Sequence, residues 1–239
     1  YITTRPFRAP HHTTSSVALI GGGARPKPGE VSLAHNGVLF LDELPEFPRQ
    51  VLEVLRQPLE DRSVMIARAT QSLRFPAKFM FVTAQNPCHC GNYGDPLLNC
   101  NCHPAEVAKY NKKISGPLLD RIDLHVQVPR LKYAEFFKTQ NNSTSAELRL
   151  QVEQAREVQY QRFGREKTNS ELSSKEIKIF CSLNQETQTF LEQASDRYQL
   201  SGRSINRLLK VARTIADLDK SPNIQLPHLA ESLQYRVNN

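Results

Sequence analysis

No run of about 18 apolar residues occurs anywhere in the 239 residues, which excludes a helical membrane span. The opening Tyr-Ile-Thr-Thr-Arg has no apolar core of the kind a secretory signal needs. Because the first residue is Tyr1 rather than Met, a preceding segment is expected. Cysteines number only five, and four of them crowd between residues 88 and 102, a distribution unlike a disulfide framework in a chain of this size. Internal repeats are lacking, and low complexity is confined to one short polar tract, residues 138–146.

What is present suits a water-soluble globular protein, with 39% hydrophobic and 23% charged residues and enough length to bury a substantial core. The net charge of +7 and isoelectric point near 9.2 fit a polyanionic partner, and equally fit surplus surface lysines.

Three apolar runs in the first 130 residues read as buried strands of a parallel sheet, each flanked by polar residues where an α/β sheet places its chemistry. They are Val38–Leu41, which ends in Asp42-Glu43; Phe79–Ala84, which ends in Gln85-Asn86; and Leu124–Val128, which follows Asp120-Arg121 and stops at Pro129. Apolar residues at helical spacing between Pro48 and Leu59 predict a crossover helix between the first two. Ser63–Arg68 and Ser72–Phe75 flank a polar tip and read as a projecting hairpin, whereas Gly21-Gly22-Gly23 and Pro26-Lys27-Pro28-Gly29 make residues 20–30 a loop. Beyond the polar linker, helices are expected over Ala146–Phe163, Ser173–Cys181, Gln185–Tyr198, Ser204–Leu218 and Leu226–Val237. The expected organisation is therefore an α/β core over 1–137, a linker over 138–146 and an all-helical domain over 147–239.

The sharpest motif is the strand Gly37–Leu41 running straight into two carboxylates. In nucleoside triphosphatases the first such carboxylate, here Asp42, holds Mg2+, and the second, here Glu43, polarises the water that attacks the γ-phosphate. A strand entering an acidic helix N-terminus would look similar. Asn86, closing the neighbouring strand, could orient the attacking water or simply form a turn before Pro87. Arg121 is a candidate for an arginine that stabilises transition-state charge on a neighbouring subunit's nucleotide, or for a surface ion pair. Arg203 opens a helix of the second domain and Arg207 follows one turn later; both are candidates for nucleotide contact.

Cys88-His89-Cys90 and Cys100-Asn101-Cys102-His103 offer two close thiolate pairs joined by a Gly-containing turn. Four soft ligands suit a closed, structural tetrahedral Zn2+ site, although one-residue spacing within each pair is tighter than usual and His89 or His103 could replace a thiolate. Reduced, unliganded thiols are the competing reading. Cys181 reads as plain core, His35 and His125 as structural, and the His11-His12 pair as a helix cap or loop lining or, equally, as metal ligands; no histidine is assigned to catalysis.

The stretches Arg5–Thr13, Pro28–Gly37, the Asp42-Glu43 strand with Leu44-Pro45-Glu46-Phe47, and Ala212–Leu218 together resemble the ComM/YifB family of magnesium-chelatase-like AAA+ ATPases, from Arg5 to about Val237. The resemblance implies a P-loop ATPase core with hairpin inserts and a helical lid. Asp42-Glu43 would be its Walker B pair, Asn86 its sensor 1, Arg121 its finger, and Arg203 or Arg207 its sensor 2. It further implies ATP and Mg2+ as cofactors, a homo-hexameric ring with single-stranded or branched DNA in its pore, and helicase or branch-migration activity in natural transformation. Residues 12–30 would be a helix-2 insert and residues 63–76 a pre-sensor-1 hairpin, placing Arg25, Lys27 and Arg68 on phosphates. One departure stands out: no Gly-x-x-x-x-Gly-Lys-Ser/Thr loop occurs, so the chain is expected to be a carboxy-terminal part, inactive alone. A chelatase-type chaperone that remodels a protein, and a non-catalytic binding or assembly module, are the alternatives. Function and thiol usage together predict a cytoplasmic location.

Overall fold

A computed structural model describes residues 4–23, 25–67, 72–130 and 143–237. The chain packs as two compact units, residues 1–122 and 123–239, the first mixed α/β and the second helical. Among the described residues no helix is long and apolar enough to cross a membrane.

The first unit is built on a three-stranded parallel sheet. Its central strand, β4 (Val38–Leu41), pairs with β1 (Phe7–Arg8) on one side and β7 (Met80–Thr83) on the other, aligning Phe7 with Val38, and Leu41 with Thr83. Gly37 allows this close entry, since a Cβ there would lie 1.9 Å from the Pro6 carbonyl oxygen, the acceptor for the Val38 amide at 2.8 Å. Burial along β4 alternates: Leu39 and Leu41 are fully buried and Val38 and Phe40 only partly. The buried face packs on Leu44, Phe47, Leu52, Leu55 and Leu118.

Between β1 and β4 the chain forms α1 (Ser16–Ile20), capped by the Ser15 hydroxyl accepting from the Ala18 amide at 3.1 Å. It then makes a two-residue antiparallel ribbon, β2 (Gly21–Gly22) against β3 (Lys27–Pro28), and a turn of helix, α2 (Glu30–Leu33). The segment expected to be only a loop is thus a small folded arm.

Between β4 and β7 the expected single crossover helix is two, α3 (Arg49–Glu53) and α4 (Arg56–Asp61). Pro58 explains the break: it has no amide to donate to the Val54 carbonyl, and it is tolerated because it sits in the first turn of α4. The hairpin β5 (Ser63–Ala67) and β6 (Ser72–Pro76) follows, in a register that pairs Ser63 with Pro76 and Ala67 with Ser72. Its tip, with Arg68, lies outside the described residues. Two further helices, α5 (Pro104–Asn111) and α6 (Gly116–Leu119), complete the unit.

Leu124–Val128, expected as a third long strand, forms none. Among the described residues no strand lies beside it; the His125 amide instead donates to the Tyr235 carbonyl at 2.9 Å, and Val126 and Val128 are 66% and 87% exposed. An apolar run becomes a strand only where a neighbour can close its ladder.

The second unit comprises α7 (Ser145–Phe163), α8 (Ser174–Phe180), α9 (Gln185–Tyr198), α10 (Gly202–Leu218) and α11 (Leu226–Val237), close to the expected spans. Side-chain caps explain the starts: Thr144 and Ser173 form capping boxes with Glu147 and Glu176, and Asn184 and Ser201 cap the next two helices. Leu208, Ala212 and Ala216 on α10 meet Leu172, Ile177, Cys181, Ile224 and Leu229, so Cys181 is core as expected.

A buried polar network ties α7 to α10. The Asp217 side chain, fully inaccessible, accepts from Arg162 (Nη1 to Oδ2, 2.9 Å; Nη2 also bonds Oδ1), from Arg213 Nε at 3.1 Å and from Asn169 Nδ2 at 2.7 Å. Arg213 also donates from Nη1 and Nη2 to the Pro222 and Ser221 carbonyls at 2.9 and 2.6 Å. Burial pulls the Arg213 pKa down, against the pull of Asp217. Asp217→Ala strands the buried Arg213 guanidinium and the partly buried one of Arg162, and should cost about 3–5 kcal/mol in chemical denaturation.

Glu176 supplies a pH signature. Bonded by Lys167, and by the Ser173 amide and hydroxyl at 2.8 and 2.7 Å, its carboxyl is held down at about 2 against an ordinary 4.5. A depressed carboxyl stabilises the fold above its unfolded value and loses that contribution as pH falls toward the folded one. Acid titration of thermal stability should therefore decline between about pH 4.5 and 2, and Glu176→Gln should flatten that part of the profile.

Candidate active site and metal centre

Parallel pairing sends the carboxyl ends of β4 and β7 to one edge of the sheet, and two bonds hold the exits together: Ala84 N to Leu41 O and Leu44 N to Ala84 O, each 3.1 Å. Asp42 and Glu43 leave β4 at this edge, and Asn86 leaves β7, exposed. The chain reverses at once. Glu43 takes the left-handed conformation, φ 51° and ψ 48°, and leads into a single 3-10 turn, Leu44–Glu46. For a residue with a Cβ this conformation is unfavourable by about 1–2 kcal/mol. The Asp42 carboxylate, accepting from the Glu43 amide at 2.9 Å, and the Glu46 amide, donating to the Glu43 carbonyl at 2.8 Å, stabilise it. The Glu43 side chain is 55% exposed, with Oε2 3.3 Å from His12 Nδ1.

The sequence does not place His12 beside the tandem carboxylates; the structure does. Its signal was positional: it follows the strand adjacent to β4 and so reaches the same edge.

Arg121 follows α6 and turns inward. Its side chain is 7% exposed, with Nη2 paired to Glu60 and Nη1 donating to the Pro117 carbonyl at 2.6 Å. In the helical unit Arg203 lies exposed in the first turn of α10, and Arg207 donates to Asp123 Oδ1 at 2.6 Å. Arg25 and Lys27 are exposed at the end of the β2–β3 ribbon. The base of that arm is closed by Arg8, whose Nε and Nη2 donate to the two Glu30 oxygens at 2.6 and 2.7 Å, a bidentate pair that raises the Arg8 pKa.

The four clustered cysteines converge. Their sulfur atoms all lie within 4.8 Å of one another, with Cys88–Cys90, Cys88–Cys100 and Cys90–Cys100 separations of 3.4, 3.7 and 3.6 Å. A tetrahedron of thiolates about 2.3 Å from a central zinc has edges of about 3.8 Å, so the cluster has the dimensions of a metal cage. Gly91 and Gly94, at φ 79° and 80°, make the reversal between the pairs. Among the thiols, Cys90 is drawn down to about 6 by the Asn92 and Asn101 amides. Cys100 is pushed up to about 12: the Cys102 amide favours its thiolate, but burial and the neighbouring Cys90 and Cys88 outweigh that. Four thiols this close do not all ionise without a cation among them.

Both neighbouring histidines are otherwise engaged. His103 Nδ1 accepts from the Ala105 amide at 3.3 Å and caps α5, while His89 stacks edge-on to Tyr110, centroids 4.5 Å apart, with Nδ1 3.8 Å from Glu46 Oε1. The cluster could thus hold a metal ion with thiolates alone, and its loop touches the 3-10 turn that follows Glu43.

The sequence model of the family described as magnesium chelatase, subunit ChlI, matches residues 1–136, and that of the ChlI C-terminal region matches residues 142–236. The chain is 50% identical over 234 residues to competence protein ComM of Haemophilus influenzae, an alignment covering 98% of this chain and 45% of that protein. It is 46% identical over 234 residues to the uncharacterized protein YifB of Escherichia coli, covering 98% of this chain and 46% of YifB. It therefore spans a little under half the length of the curated relatives it matches. With family matches across both of its compact units, this chain belongs to the magnesium chelatase family.

Proposed function

We propose that the chain is part of an ATP-hydrolysing AAA+ ring motor that acts on DNA, with ComM-like helicase or branch-migration activity in natural transformation and recombination, working in the cytoplasm as a homo-hexamer. The observation that carries this reading is the sheet edge where β4 ends in Asp42-Glu43 beside the exit of β7 at Asn86. Tandem carboxylates at the carboxyl edge of a parallel sheet are where a nucleotide's metal and attacking water are managed.

Bound Mg·ATP would supply the phosphoryl electrophile and the metal's charge neutralisation. Asp42 would hold the metal's water shell, Glu43 would take the proton of the attacking water, and Asn86 would orient that water. Arg121 would serve a neighbouring subunit's nucleotide, and to do so it must exchange Glu60 for phosphate, an exchange that the planar donor fork of a guanidinium suits. Arg203 and Arg207 would contact nucleotide from the helical unit. Arg25 and Lys27, with Arg68 at the hairpin tip, would bind DNA backbone without reading its sequence. No phosphate-cradling loop lies within these 239 residues; it is assigned to the remainder of the longer protein.

The four-cysteine cage is proposed as a structural Zn2+ site, its full thiolate shell leaving no open position for catalysis. A second reading is favoured by the family described as magnesium chelatase: a chaperone-type ATPase that remodels a protein partner.

ATPase activity of the full-length protein, with and without single-stranded and branched DNA, separates the two. The motor predicts stimulation by DNA, and a DNA-indifferent ATPase moves the assignment to the protein remodeller. Glu43→Gln should keep ATP binding and lower turnover by about 100-fold or more. For the cage, elemental analysis should find about one zinc per chain, lost together with thermal stability in the double variant Cys88→Ser, Cys102→Ser. Unchanged metal content would remove the cage.

A further inference from the structure

One side chain joins the turn that aims Glu43 to the cysteine cage. Glu46 closes that turn, its amide donating to the Glu43 carbonyl at 2.8 Å, and its carboxylate is shared between the two arms of the cage. Oε1 lies 3.8 Å from Nδ1 of His89, the residue between Cys88 and Cys90 on the first arm. Oε2 accepts from Lys113 Nζ at 3.4 Å, and Lys113 lies just past α5, the helix that starts directly after Cys102 and its His103 cap on the second arm. The arms also meet on one ring: Tyr110, 3% exposed, takes His89 edge-on at 4.5 Å between centroids and Lys113 Nζ at 5.6 Å.

A residue with a Cβ stays left-handed only while its surroundings over-determine it. The two contacts at Glu46 are part-exposed, and contacts of that kind are similar in size to the strain they oppose. Losing both together therefore shifts a sizeable fraction of molecules out of the turn, while the buried Leu41 and Leu44 keep the sheet in register. A cation held by four thiolates crosslinks the two arms, and with them the places of His89 and Lys113. The first arm bears on the other strand exit as well, since Cys88, fully buried, lies two residues beyond Asn86.

We infer that Glu46 is a positioning residue that ties both arms of the cysteine cage to the turn carrying Glu43, so that metal loading of the cage sets how well the general base is aimed. This rests on the assignment of Glu43 as the general base and of the cage as a Zn2+ site. The metal takes no part in the chemistry; its effect reaches the site through one carboxylate.

The test uses the full-length protein, its zinc content measured first, with two readings on each sample: steady-state ATPase, and amide hydrogen exchange across residues 43–47. Glu46→Ala should keep about one zinc per chain and an unchanged KM for ATP, lower kcat by about two- to fivefold, and speed exchange across 43–47 by a similar factor. Glu46→Gln keeps an oxygen that accepts from Lys113 and should fall between Glu46→Ala and the parent. Stripping zinc with a chelator and then restoring Mg2+ should speed exchange of those amides in the parent but add nothing further in Glu46→Ala, and returning zinc should reverse the change. A parent kcat in Glu46→Ala, a rise in KM alone, a parent devoid of zinc, or equal acceleration by zinc removal in the parent and in Glu46→Ala would each overturn the coupling. Glu43→Gln, run alongside, separates the two levels. If Glu43→Gln retains turnover, the general-base assignment falls and the exchange reading still judges Glu46; if it is inactive while Glu46→Ala matches the parent in both readings, only the role of Glu46 falls.

Discussion

Parallel pairing of Val38–Leu41 with strands on both sides is the constraint on which the rest of the first unit depends. Parallel neighbours point their carboxyl ends the same way, so whatever follows β1, β4 and β7 in sequence meets at one edge. His12, Asp42-Glu43 and Asn86 are distant in the chain, yet that single geometric fact gathers them. The buried face of the sheet, with Leu39 and Leu41 fully inaccessible, anchors the register: a one-residue slip would turn both leucines outward and swing the carboxylates from their positions.

The same edge holds the backbone strain. Glu43 stays left-handed because the core on either side of it, Leu41 before and Leu44 after, is buried and leaves the chain only Asp42 and Glu43 in which to reverse. The cysteine loop braces the far side of that reversal. His89 and Lys113 both approach Glu46, at 3.8 and 3.4 Å, and Lys113 also lies over the Tyr110 ring. These contacts are part-exposed and individually weak, so the bracing comes from the fold of the loop, which a metal in the thiolate cage would hold closed.

The helical unit is organised on a different principle. Its side-chain caps and the apolar stripe of α10 would suit many helical packings, but the buried Arg162–Asp217–Arg213 group accepts few. Moving α7 along α10 by one turn would leave buried charges without partners, at a cost far above that of misplacing a leucine. Arg213 and Asp217 lie in the Ala212–Leu218 stretch that carries the family resemblance, and in this structure their partners are internal to the unit.

Local patterning by itself determined much here. The strand ending in two carboxylates, the hairpin arms, the capped helices and the doubled cysteine pairs were each legible because a few adjacent residues decide them: an apolar run, a capping hydroxyl, a glycine turn. Family resemblance added names for the roles but no geometry. Tertiary structure alone decided the features that depend on residues far apart in sequence. Leu124–Val128 has a strand's composition and no strand beside it, Pro58 divides a helix that periodicity made continuous, and Arg121 turns inward to Glu60. The four thiols close to within 4.8 Å, and His12 reaches Glu43 across 31 positions, because long-range packing fixes where loops end while sequence spacing limits only how far they can reach.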